Sequence, residues 1–546
     1  MPRLSKILHS KDHATASLTS ITRPNTTAPD LQAWLVPALL FALCVGYFLV
    51  AERLVLFDHF MLPMGDNAAD DLLVLDAKRL HLLHGNYSRF GFYHPGPWFL
   101  FVAAAGETVF YDWTGWFTSY FGAQIFALSL TQAIALAFSC RLWLLVTRRV
   151  DLSLLATLII VATILAPIAP VNLFIHSWTP YSTVAASLLA ATGLAGVMLR
   201  GPSWLPLLAL GCAQMIHGHA SFLGIVPVML CTALLLALLM GRLPFNPINL
   251  AATLAWMRRH RTPVLLSIGI AALYALPILL HTILHWPGEF GRYRAFMGLL
   301  PPQPIGAALR YEVAFIPVGG IWLLLFLLPG GTPPAINQPQ GESRGDLRAA
   351  GLVVFFAAAL PAFWYSWREV DDSLHRYLLL WFTPFAGTAL VASLFHAGRA
   401  AELKLGWRIL LCVALGGLSV RVLLGVQPVL LMDVADNLAW QRAVTQLLAK
   451  PAPAGSDRTE LVLDRSAAAW VPVWIETVEL LDAMRRARRT DFCVSATTWH
   501  ILFEQSNRCA PGRDIITGRM IVTLWPKNPS ASSLRLEQTG LMPMLP

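Results

Sequence analysis

Asp66, Asp70, Asp71 and Asp76 crowd one short part of a stretch, Gly65 to Glu107, that also carries His94-Pro95-Gly96-Pro97. It follows the first long apolar run, Ala33 to about Phe57. Carboxylates this dense beside a bilayer are costly to hold unless they face water or do chemistry. Asp70 to His84 predicts a helix. Asp70 suits its N-cap and Asp71 its first turn, where acids meet the positive end of the helix dipole. Leu72, Leu73, Leu80 and Leu83 share one broad face, and Gly85 is a natural terminator. Asp70 is then either a cap alone or a base poised where the membrane edge meets water. Asp66, four residues earlier, is the alternative.

Cationic and imidazole side chains fall in other predicted loops. Arg292 and Arg294 flank Tyr293. Arg368 stands at a span mouth, and His375-Arg376-Tyr377 precedes Pro384. Each Arg either meets an anion or snorkels at the interface. His94 either contacts a phosphate or caps its own loop. His176, His217 and His219 lie at turns, and two His without nearby acids make a poor zinc site. Asp371-Asp372 reads as a solvated loop, and Asn86-Tyr87-Ser88 as a chance glycosylation sequon.

The elements that must position these groups are membrane spans. The chain is 56% hydrophobic and only 13% charged, with mean hydropathy +0.58, where soluble domains carry about 25% charged residues. A net charge of +9 is no pointer to nucleic acid, because Lys and Arg in short loops set topology and no basic-aromatic motif accompanies them. Residues 1–32 form a basic tail assigned to the cytoplasm, so the loop 58–118 faces outside. Arg148-Arg149 then decides that Ser119 to Val146 runs inward, and that Pro97 to Tyr111 lies along the membrane without crossing it. Continuing the alternation predicts about eleven spans over residues 33–426, each needing roughly 20 apolar residues. Val313 to Leu328 is one of them, and Ile409 to Val426 is the last.

From Gln427 to Pro546 the chain turns polar and reads as a small soluble α/β domain on the outer side. Glu460 to Asp464, Phe492 to Phe503 and Met520 to Trp525 are strand-like, and Val471 to Arg489 is helical. Cys493 and Cys509 fall in this polar part and are disulfide candidates if it is exported.

The first loop resembles that of the GT-C superfamily of integral membrane glycosyltransferases. Asp70-Asp71 takes the place of the acidic pair that opens the loop helix. Gly85-Asn86-Tyr87, fifteen residues on, takes the place of a Gly-Asp-Trp-like turn, and His94-Pro95-Gly96-Pro97 completes the set. The second acid is Asp where the family often has Glu. The resemblance implies a polyprenyl-phosphate sugar donor and a glycan, lipid or protein acceptor. It implies inverting displacement with Asp70 as base, and Asp66 and Asp71 beside it. It also implies donors to the leaving phosphate drawn from His94, Arg292, Arg294, Arg368, His375, Arg376 and Tyr377. No cofactor is certain. A divalent cation on Asp66 and Asp70 is an option, as in some members. The branch resembled, with arabinofuranosyltransferase-like and aminoarabinose- or mannosyltransferase-like members, implies the bacterial inner membrane and envelope biogenesis. A transporter or flippase of lipid-linked glycans, or an O-antigen-type polymerase, is the alternative.

Overall fold

The computed structural model describes residues 29–88, 90–168, 178–243, 249–297, 301–327, 346–370 and 376–398. In the C-terminal region it describes 441–442, 444–446, 448–449, 457–463, 470–489, 491–494, 508–509, 515–522 and 537–539. His176, Asp371, Asp372, His375 and the predicted span 409–426 lie outside these residues.

Helix α1 (Pro29–Ala51) leads through a π-helical turn (Leu54–Asp58) to α2 (Asp66–Lys78). A two-stranded hairpin follows, β1 (Tyr87–Ser88) with β2 (Phe92–Tyr93), and then α3 (Trp98–Gly106), which continues as a π-helical segment to Trp113. The bundle proper comprises α4 (Tyr120–Thr147), α5 (Val150–Leu165), α6 (Thr179–Arg200), α7 (Leu205–Gly218) and α8 (Phe222–Leu239). Next come α9 (Leu250–Arg259), α10 (Arg261–Leu284), α11 (Gly288–Phe296), α12 (Ile305–Val313), α13 (Leu347–Arg368) and α14 (Thr383–His396).

Among the described residues, seven helices are long and apolar enough to cross a membrane, or eight if a bent pair counts as one span. This is a multi-pass membrane protein. Residues 98–113 are not among those helices, as the charge pattern predicts. Boundaries follow local chemistry. Ser119 caps α4 by accepting from the Gly122 N–H, and Asp346 caps α13 by accepting from the N–H groups of Arg348 and Ala349. One predicted span is corrected. Val313 to Leu328 does not run straight, because α12 and the 3-10 segment Pro317–Leu327 meet at 82°, with Val318, Gly319 and Gly320 all at positive φ.

Inside the bundle α6 is the hub, with 89% of its span buried, whereas α10 has 6% and turns its side chains outward to lipid. Helices of a membrane bundle approach closely where residues are small. A Cβ on Gly193 would sit 2.4 Å from the Leu208 backbone nitrogen, and one on Gly211 2.3 Å from that of Ala190, so α6 and α7 are in backbone contact. Trp143, Phe326, Phe382 and Phe385 are the largest fully buried side chains.

In the C-terminal region, β3 (Asp457–Leu463), α15 (Trp470–Arg486) and β4 (Phe492–Val494) form a parallel βαβ unit. Strand β5 (Ile515–Val522) adds to β3 in parallel and β6 (Glu537–Thr539) closes antiparallel, giving the order β4-β3-β5-β6. Cys493 and Cys509 are joined by a disulfide. Val478, Leu481 and Met484 of α15 pack on Ala68, Ala69 and Leu72 of α2 in an apolar cluster separate from the bundle core.

Candidate active site

Helix α2 starts earlier than the cap signal of Asp70 predicts. Gly65 caps it at φ 58, ψ −129, where a Cβ would be strained. The Gly65 N–H donates to Glu479 Oε1 at 2.8 Å. Asp66 therefore takes the first turn, and Asp70, one turn on, shares its face. The helix also stops before Gly85. Leu80 turns left-handed at φ 58, and the Arg79 and His81 N–H groups both donate to the Asp76 carbonyl.

The four carboxylates divide between two faces. Asp66 and Asp70 line a cavity of about 810 Å³. Its walls are the hairpin, the N-terminus of α6, the α7–α8 turn, α11 and the C-terminal end of α13. Its surface is largely apolar and rich in aromatic side chains, as ligand cavities commonly are. Asp71 and Asp76 face the other way and are held by Arg486 and Arg485. Asp71, expected beside the base, is thus removed from the cavity by its pairing.

Asp70 Oδ1 is buried and accepts no hydrogen bond. Burial, then the charges of Asp66 and Asp71, push its carboxyl well above the usual range, and the Thr179 hydroxyl pulls the other way. Asn86 Nδ2 donates to the Thr179 hydroxyl at 3.0 Å and so fixes it. Asp66 is differently placed. The Tyr87 hydroxyl donates to its Oδ1 at 2.5 Å. Burial, then the Asp66 charge, holds the Tyr87 proton on well above its usual range.

His94 closes the hairpin. Its N–H donates to the Asn86 carbonyl and its carbonyl accepts from the Gly85 N–H, both at 2.8 Å. Its ring Nδ1 accepts from the Ala220 N–H at 3.2 Å, and the His94 and His219 ring centroids are 4.4 Å apart. Burial, then His219, keeps His94 well below the usual imidazole range, and burial brings His219 to about 4. Both rings are neutral in the cavity wall. Gly96 admits no side chain, since a Cβ there would stand 2.2 Å from His217 Nδ1. The His-Pro-Gly-Pro element thus folds the loop onto the α7–α8 turn.

Of the expected cations, Arg294 lines the cavity, and among the described residues it forms no ion pair. Arg292 donates to Glu289 at 3.0 Å, Arg368 stacks on Trp367, and Arg376 donates to the Pro167 carbonyl at 2.8 Å. None of those three lines the cavity, whereas Tyr377 does.

No protein-family model and no curated protein matches the chain. Among solved structures, ArnT from Cupriavidus metallidurans bound to undecaprenyl phosphate matches over 89% of this chain and 92% of its own, at TM-score 0.51 and 12% identity. The chain shares the fold of that structure. AglB, the archaeal oligosaccharyltransferase from Archaeoglobus fulgidus in complex with an inhibitory peptide and a dolichol-phosphate, is also 12% identical. It matches over 83% of this chain and 64% of its own, at TM-score 0.36.

On this fold a divalent cation has little to hold it. Such ions take six or more oxygen ligands. Here three carboxylates, Asp66, Asp70 and Glu369, line the cavity, and Asp66 already accepts from Tyr87. Among the described residues no group of three or more His, Cys, Asp or Glu could hold a metal. Several lining residues are not singled out by residue pattern, among them Thr179 and Glu369. Their common signal is position, because each opens or closes an element beside a predicted outer loop.

Proposed function

We propose that the chain is a membrane glycosyltransferase that moves a sugar from a polyprenyl-phosphate donor to an envelope glycan, lipid or protein. Asp70 is the base. It takes the proton of the acceptor hydroxyl as that oxygen attacks the anomeric carbon. The bond from that carbon to the phosphate oxygen breaks, configuration inverts, and the phosphate departs with the electron pair. Negative charge grows on that phosphate and calls for donors placed in advance. Arg294, Tyr377 and His94 are the candidates in the cavity wall. No step is routed through a metal.

The observation that carries this reading is Asp70 Oδ1, buried, unpartnered and on a helix face that lines a large cavity. The lipid donor is supported by ArnT, whose structure in the same fold holds undecaprenyl phosphate. The orientation has the N-terminus in the cytoplasm, about eleven spans, and residues 427–546 as an outer domain in a bacterial inner membrane. In its favour, turns that the charge pattern assigns to one side of the membrane converge on one cavity.

The bent pair α12 and Pro317–Leu327 favours a second reading, a carrier of lipid-linked glycans, since transporters use broken helices. It is a single break and contributes nothing to the cavity wall, so it ranks second.

The test is release of undecaprenyl phosphate from undecaprenyl-phosphate pentose, aminopentose and hexose in proteoliposomes. Asp70→Asn should lower it by at least about 10²-fold while the protein still inserts. Wild-type release in both Asp70→Asn and Asp66→Asn would sink the mechanism.

A further inference from the structure

The back of α2 has no part in the chemistry above, yet it is the most heavily tied surface of the loop. Arg486 donates through Nε and Nη2 to both oxygens of Asp71. It donates through Nη1 and Nη2 to Glu107 at 2.8 and 2.9 Å. Its guanidinium lies over the Tyr120 ring, 3.6 Å from the centroid. Asp71 and Glu107 are 0% and 1% exposed. Gln124 Nε2 donates to each of them at 2.5 and 2.8 Å, and Lys78 donates to Glu107 at 2.6 Å.

One residue back on α15, Arg485 donates to Asp76 Oδ1 at 2.6 Å and to the Leu72 carbonyl at 3.1 Å. Two turns earlier, Glu479 accepts the Gly65 N–H. One face of α15 therefore grips α2 at its start, middle and end, over the apolar cluster between them.

This grip fixes a rotation. Successive residues of a helix lie about 100° apart around its axis. Any turn of α2 that swings Asp70 out of the cavity drags Asp71 off Arg486. We propose that Arg486, with Arg485, is a positioning residue: it sets the rotation of α2 and so aims Asp66 and Asp70 at the cavity. Its consequence for catalysis rests on Asp70 being the base, but the placement of the side chain does not.

The test uses the full chain in its membrane. Asp70→Cys introduces a thiol into the cavity wall, and its reaction with a small water-soluble maleimide is followed with the unsubstituted chain as background. Adding Arg486→Gln should lower the labelling rate by more than about threefold, as the thiol swings out of the cavity, and Arg486→Lys, which keeps the charge without the fork, should fall between. A rate within about threefold of the parent in Arg486→Gln overturns the proposal. Should that variant not accumulate, Asp71→Asn combined with Arg486→Gln leaves no unpaired partner at that contact, and the same threshold applies. Transfer by Arg486→Gln alone, with Asp70 intact, should fall about tenfold and partly recover in Arg486→Lys. Lowered labelling beside a silent Asp70→Asn keeps the positioning role and removes the base. A dead Asp70→Asn beside unaltered labelling does the reverse.

Discussion

On the front of α2, Asp70 Oδ1 is buried without a donor; on the back, one residue further, Asp71 takes hydrogen bonds from Arg486 and Gln124. The side chains are identical; Asp71 is fully buried and Asp70 half-buried. What differs is the supply of donors. Unmatched burial raises the proton affinity of a carboxyl, and a matched guanidinium offsets that rise. The front carboxyl keeps one oxygen without a donor, with only the Thr179 hydroxyl pulling its proton affinity back down. The back carboxyl has both oxygens engaged by Arg486. Reactivity here is a property of the helix face.

The contrast can be broken most sharply by exchanging roles. Asp70→Asn should lose transfer by about 10²–10⁴-fold with stability kept, since it removes a negative charge that burial and Asp66 disfavour. Asp71→Asn should instead lose stability, by about 3 kcal/mol or more, because Arg486 and Glu107 stay buried with their balance upset. Transfer assays and detergent unfolding of the two variants decide it; equal loss of transfer with equal stability would erase the distinction.

Acid should act on the two faces at different pH. Burial pushes the Glu107 carboxyl up, but Arg486, Lys78 and Gln124 outweigh burial and bring it from 4.5 to about 2. A depressed carboxyl stabilises the fold fully above its unfolded value and loses that stability as pH falls through the folded one. The thermal midpoint should therefore drop between about pH 4.5 and 2, and Glu107→Gln should flatten that limb. Asp70 is shifted the other way, and a base must be ionised. Transfer should fail on acidification at a pH above the ordinary carboxylate range. Asp66→Asn, by removing a neighbouring charge, should move that limb down, as a pH–rate profile would read.

The smallest effects belong to the cation pair. Arg294→Ala should raise the donor KM about tenfold if it meets the phosphate. Arg292→Ala removes a half-exposed guanidinium from the buried Glu289, worth about 1 kcal/mol, and should leave the kinetics unchanged.

Much of this architecture was legible from local pattern. Ser119 at the head of α4 and Thr179 at the head of α6 mark the observed boundaries, because caps and apolar length act within one turn. The start of α2 was not legible. Asp70 carries the stronger cap signal, but the helix begins at Asp66 because the Gly65 N–H finds Glu479, 414 residues away. Arg376 misled for the same reason, since its proximity to Tyr377 in sequence says nothing of the Pro167 carbonyl that holds it. The break at Val318 was readable in Pro317 and Gly319-Gly320, which punctuate a run that hydropathy alone treats as continuous. The division of Asp70 from Asp71 depends on an arginine far along the chain, and no window of sequence contains both.

The Arg485 to Asp76 contact joins residues 409 apart. At a synthesis rate of about 5–20 residues per second, roughly 20–80 s separate the emergence of α2 from that of its clasp. For that interval a nascent chain carries its acidic loop with no back wall, and a ribosome stalled late would leave every such chain without one. Synthesis of α15 is thus a late step in walling the acidic loop.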